Sequence, residues 1–195
     1  MHVLLVYCHP RTDSFCAALR DTAASALRAA KHTVEVRDLY AERFTPAMSA
    51  DERGQYYSAS PSLQGIEQHI SALQAAEALL LVYPTWWFGQ PAMLKGWFDR
   101  VWVPGVAFRL REVGGLEPLL TNIRRLGVVT TYGSPRWLLW MIGWPDRRMV
   151  NSGFRSLCAP DCRLDWIAMT RMDTCTAKQR ERFVARVQSR LSRWR

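Results

Sequence analysis

The chain has 195 residues, 49% of them apolar and 22% charged, the balance of a folded globular domain and not of a disordered or membrane-spanning chain. Its net charge of +9 suits an anionic ligand, but the cations are almost all Arg, with Lys31, Lys95 and Lys178 the only lysines. They form no basic-aromatic module, so no nucleic-acid partner is expected.

The N-terminus, MHVLLVYCHP, lacks a basic leader and its apolar run is too short for a signal peptide or a span, which predicts a cytoplasmic protein. VLLVY, from Val3 to Tyr7, is a short apolar run of strand length. The turn-rich HPRTDS follows, and then FCAALRDTAASALRAAK, where Leu19, Ala23, Ala26, Leu27 and Ala30 repeat at helical spacing. TVEVRDLY, from Thr33 to Tyr40, alternates with β-branched residues and reads as a second strand. Residues 41–62 lack periodicity and read as a long loop, after which Leu63, Ile66, Ile70 and Leu73 mark a second helix. ALLLVYP, from Ala78 to Pro84, is apolar throughout, as a parallel strand covered on both faces must be. Pro91 is well placed to start a helix that carries Met93, Leu94, Trp97, Phe98 and Val101. Trp97 and Phe98 share that spacing and belong to a core. LGVVTTYG, from Leu126 to Gly133, and RLDWIAMT, from Arg163 to Thr170, are the fourth and fifth strands. The C-terminal helix places Phe183, Val187, Leu191 and Trp194 on one stripe.

Alternating strands and helices predict one α/β domain over residues 1–195: a flavodoxin-like, doubly wound, five-stranded parallel sheet of order 2-1-3-4-5 with helices on both faces. Ligands of such sheets bind beyond the carboxyl ends of the strands. Three loops converge there. HPRTDSFC opens the first helix, with Asp13 and Ser14 able to cap it, either as a plain cap or as a phosphate site at the positive end of the helix. PTWWFG follows the third strand with three aromatic residues in a row, which cannot all point inward. TTYGS follows the fourth and offers hydroxyls and close backbone approach. The odd number of cysteines, with no export signal, predicts free thiols. Cys158, Cys162 and Cys175 lack the pairing and the fourth ligand of a zinc site, so no metal is expected.

HP-x4-SF after strand one, YPTWWFGQPAMLKGWFDRV after strand three and TTYGS after strand four together resemble the flavodoxin-fold NAD(P)H:quinone oxidoreductase family, which includes the ancillary oxidoreductases of bacterial potassium efflux systems. The resemblance implies a flavin, FMN or alternatively FAD, and NAD(P)H as electron donor. His9, Ser14, Phe15 and Cys16 match the positions that hold the flavin phosphate and ribityl chain. Pro84, Thr85, Trp86, Trp87 and Phe88 match the segment along the ring edge, and Thr130, Thr131, Tyr132 and Gly133 close the far side. It further implies two-electron ping-pong hydride transfer to a quinone or related electrophile, in a homodimer whose sites borrow partner residues.

The chain departs from that pattern in three places. Cys16 stands where the family often has Asn, and Tyr132 replaces a Gly. The Tyr and His that handle charge on the reduced flavin in animal members fall, by offset from Thr130, on Leu138 and Trp144, which leaves backbone N–H groups, Tyr132 or solvent for that task. A non-catalytic flavin-binding subunit of a membrane transport system is the rival reading. RWLLWMIGWPDRR, from Arg136 to Arg148, could be a pocket lid, a dimer contact or a membrane-surface contact.

Overall fold

The structure is a computed structural model that describes residues 1–58 and 63–195. Five parallel strands form the main sheet: β1 (His2–Tyr7), β2 (Thr33–Asp38), β3 (Ala78–Pro84), β6 (Arg125–Thr131) and β7 (Arg163–Met169), in the order β2-β1-β3-β6-β7. That is the expected order, with the numbering raised by an extra hairpin, β4 (Phe108–Leu110) and β5 (Leu116–Pro118). Every residue of β3 is buried. Its unbroken apolar run reflects a strand that meets a core on each side.

Those two cores are distinct. One packs α3 (Glu67–Ala75) and α4 (Ala92–Val101) against Leu4, Val6, Leu79, Leu81 and Val128. The other packs α1 (Phe15–Ala29) and α7 (Ala177–Leu191) against Leu5, Leu80, Val82, Val129 and Ile167. Alternate residues of each strand point to opposite faces, so one strand feeds both cores. Burial of each such Leu, Val or Ile contributes about 1.5–3 kcal/mol. The stripe of Phe183, Val187, Leu191 and Trp194 faces the second core, and Trp97 and Phe98 lie in the first.

Two elements differ from expectation. The stretch read as one long loop contains α2 (Ala50–Gly54), held by a capping box in which Ser49 and Glu52 each bond the other's backbone N–H. Arg100 on α4 grips Glu52 and the Thr45 carbonyl, which fixes this segment to the body. Residues 59–62 of that expected loop lie outside the described residues. The β4–β5 hairpin turns at Gly114 and Gly115, both with positive φ, the dipeptide signal for such a turn. In addition, α5 (Arg136–Met141) and α6 (Pro145–Arg148) fill the connection from β6 to β7. Among the described residues, no helix is long and apolar enough to cross a membrane.

Candidate active site

The carboxyl ends of β1, β3 and β6 open into a cleft of about 920 Å³. All of the sequence-predicted site residues line it except Ser14 and Thr130. The side chain of Ser14 caps α1 by accepting the Ala17 N–H at 3.1 Å and lies 3.3 Å from the Tyr7 hydroxyl. Asp13 does not cap; it forms an ion pair with Arg11 on the surface. Thr130 is fully buried, its hydroxyl 2.8 Å from that of Thr85, and so it positions a lining residue from behind. Ser134, Met172 and Asp173 also line the cleft. The last two follow β7, where no motif marked them.

The aromatic run answers to backbone geometry. Trp86 and Gly89 exchange both N–H···O bonds at 3.0 Å, and the two residues between them, Trp87 and Phe88, have φ of 51° and 60°. Positive φ at both central residues is the signature of a type I′ turn, which normally takes Asn and Gly. Two large aromatic residues there store strain of the kind found at functional sites. The turn holds Trp87 97% exposed and Trp86 beside His9, with ring centroids 6.3 Å apart.

Backbone donors converge on the same cleft. Among the described residues, the N–H groups of Phe15 and Cys16 at the positive end of α1, of Trp87 and Phe88 in the turn, and of Gly133 and Ser134 after β6 have no protein acceptor. Gly133 is also a point of close approach, since a Cβ there would meet Asp173 Oδ2 at 2.3 Å. Cys16 sits below, its Sγ 3.9 Å from the Thr131 hydroxyl, and burial pushes its thiol up to about 11, so it remains a neutral thiol.

Behind the wall lies a buried carboxylate. Asp146 on α6 is 1% exposed and accepts the Tyr83 hydroxyl at 2.9 and 3.1 Å, the Gln90 amide at 2.5 Å and the Tyr132 hydroxyl at 3.4 Å. Burial raises its carboxyl to about 6 against these lowering bonds, and burial likewise pushes the Tyr132 phenol above its ordinary value. Tyr132 lines the cleft but is only 3% exposed, with its hydroxyl committed to this network. Trp144 packs edge-on to the Tyr132 ring at 5.7 Å. Leu138 lies half-buried on α5. Trp137, Trp140, Met141 and Ile142 face outward from the same segment, while Leu139 is buried.

The arrangement fits a flat aromatic ligand with a phosphate tail. Planar side chains frame it, and peptide N–H groups meet acceptor atoms and anionic charge.

The chain is 35% identical to the uncharacterized NAD(P)H oxidoreductase YcaK of Escherichia coli K12 over 158 residues, covering 80% of this chain and 76% of that one. It is 33% identical to the rat NAD(P)H dehydrogenase [quinone] 1 over 147 residues, 67% of this chain and 53% of that one, so it spans about half the length of that relative. The NAD(P)H:quinone oxidoreductase from Methanothermobacter marburgensis superposes with a TM-score of 0.86 at 26% identity, over 99% of this chain and 98% of that one. An FMN-dependent NADH-azoreductase from Bacillus anthracis, solved with FMN, shares the fold with a TM-score of 0.78 at 17% identity, over 99% of each chain. Residues 1–186 match the family described by the flavodoxin-like fold, and the chain belongs to that family.

Proposed function

We propose that the protein is a flavin-dependent NAD(P)H:quinone oxidoreductase that binds FMN in the cleft and transfers two electrons at a time by a ping-pong route. The observation that carries this reading is the ring of unpaired peptide N–H groups from Phe15, Cys16, Trp87, Phe88, Gly133 and Ser134 around one aromatic-lined cleft. Bound flavin supplies hydride chemistry that side chains lack. The chain's own residues bind and orient. The α1 N-terminus and its loop, with His9, Phe15 and Cys16, hold the phosphate and ribityl chain; Pro84 to Phe88 run along the ring; Thr131, Tyr132 and Gly133 close its far side, with Thr130 setting Thr85. No Tyr/His pair stands at Leu138 and Trp144, so charge on the reduced ring is met by backbone dipoles.

The relatives named for quinone reduction support the acceptor class, and the azoreductase of the same fold supports FMN. The outward aromatic face of α5, with Trp140 78% exposed, supports a homodimer contact next to the cleft. The five cysteines are all free, which suits the reducing cytoplasm.

The test is an absorption spectrum of the purified protein, chromatography of the released cofactor, and anaerobic addition of NADPH followed by a quinone. The expected result is a two-band flavin spectrum, FMN on release, bleaching by NADPH and recovery on adding quinone. A bound flavin that neither NADPH nor NADH reduces would establish the non-catalytic flavoprotein instead. Sedimentation of the protein at micromolar concentration tests the dimer.

A further inference from the structure

A second pocket, of about 590 Å³, wraps the free edge of β7 between the α5–α6 connection and α7. Five arginines line it: Arg136 and Arg147 from α5 and α6, Arg171 after β7, and Arg182 and Arg186 one turn apart on α7. Its lining includes no Asp or Glu. Seven arginines elsewhere, Arg11, Arg20, Arg37, Arg100, Arg109, Arg125 and Arg190, pair with carboxylates. Among the described residues, none of the five pocket arginines has a carboxylate within 4.0 Å or a side-chain hydrogen bond. Like charges gathered around one concavity, without counter-charge, raise a positive potential that is relieved by an anion.

The pocket is also shaped at a cost. Trp144 and Arg171, both in its wall, are non-glycine residues in the left-handed region, with φ of 50° and 58°. The left-handed turn at Arg171 is held by its N–H to the Ser134 carbonyl and by the Met172 N–H to the Tyr132 carbonyl. Thr170, Thr174 and Gln179 add neutral polar groups to the lining. The wall is shared with the active-site cleft: Trp144 touches Tyr132, and Arg171 lines this pocket while Met172, the next residue, lines the cleft.

We propose that this pocket binds a polyanion bearing two or more phosphate groups. A single monoanion could engage one or two of the guanidinium forks, whereas a diphosphate can accept from forks on opposite walls, α5–α6 on one side and α7 on the other. Two sources share that chemistry: the phosphates of the nicotinamide donor working in the neighbouring cleft, or a separate phosphorylated ligand. The first source rests on the reading of the cleft as a flavin site; the second does not.

The experiment titrates the full chain with inorganic pyrophosphate by calorimetry at about 0.15 M salt, where exposed charges are screened beyond about 8 Å. It compares wild type with R182Q/R186Q and R182K/R186K, and checks folding by melting temperature. The expected result is saturable binding with one site per chain. Each Arg→Gln weakens it roughly tenfold, the scale of one charge-assisted hydrogen bond. The Lys variants, with charge kept and the fork lost, fall between. KM values of the flavin-loaded variants then name the source. A rise for NADPH or NADH, both of which carry the diphosphate, assigns the donor's phosphates, and unchanged KM values with pyrophosphate binding lost assign a separate ligand. Absence of saturable pyrophosphate binding, or the same dissociation constant in a folded R182Q/R186Q variant, overturns the proposal and leaves the arginines as guards of an exposed sheet edge.

Discussion

Replacing Asp146 by Asn tests whether a charge is buried behind the active-site wall. The carboxyl is 1% exposed, and burial raises it from 3.8 to about 6. Two units correspond to about 3 kcal/mol between the protonated and ionised forms. The sign follows from linkage. In the folded protein this group holds its proton more tightly than in the unfolded chain, so its contribution to stability is fully present below about pH 4 and is lost as pH rises through about 6. The groups that face it, Tyr83 from β3, Gln90 before α4 and Tyr132 after β6, remain neutral across that window. Asn keeps an acceptor for the Tyr83 hydroxyl and the Gln90 amide but carries no charge. The assay is urea unfolding of both proteins at about pH 4 and about pH 7.5, read as the difference in unfolding free energy. Burial also raises Glu42, while at Glu52 the Ser49 N–H and Arg100 outweigh burial and lower it. Both shifts are common to the two proteins and cancel in the difference. The variant should gain about 3 kcal/mol relative to wild type between the two pH values. A change below about 1 kcal/mol, or one of opposite sign, would refute the buried charge.

Three substitutions separate architecture from site. Gly133→Ala drives a Cβ to 2.3 Å from Asp173 Oδ2; Asp173 is exposed and can swing aside, so the melting temperature should barely move while flavin affinity, read by fluorescence titration, falls roughly tenfold, about 1.4 kcal/mol. Gly96→Ala is the contrast, since its Cβ would meet the Pro46 backbone at 2.2 Å. A destabilisation of about 1–3 kcal/mol in urea is expected, and a wild-type midpoint would show that the segment around Pro46 is not seated on α4. Trp87→Asn relieves a left-handed aromatic residue and loses almost no burial, so the apo protein should be as stable or about 1 kcal/mol more stable. Its flavin or quinone affinity should drop, and unchanged affinity for both would remove that ring from the site.

Much of the site could be read in the chain because it lies on three loops, each attached to an unmistakable strand. An all-apolar β3 has to be central, and a central parallel strand places PTWWFG at the ligand edge whatever the other details. The helix at Ala50–Gly54 was legible too, as S-x-x-E at Ser49 and Glu52, but it carries no apolar stripe to mark it. What the sequence by itself determined was the order of elements, the two-faced core and the identity of the three loops, because periodicity and turn chemistry are local. Only the tertiary structure decided the rest. It turned the aromatic run through two left-handed residues, a strain that local preference opposes and the hydrogen bonds between Trp86 and Gly89 accompany. It set Thr130 behind Thr85 and brought Asp146, from a helix 14 positions past Tyr132, beneath that ring. It also gathered arginines from three segments around one sheet edge. All but the turn are contacts between residues remote in the chain, and such contacts exist only once the layers have packed.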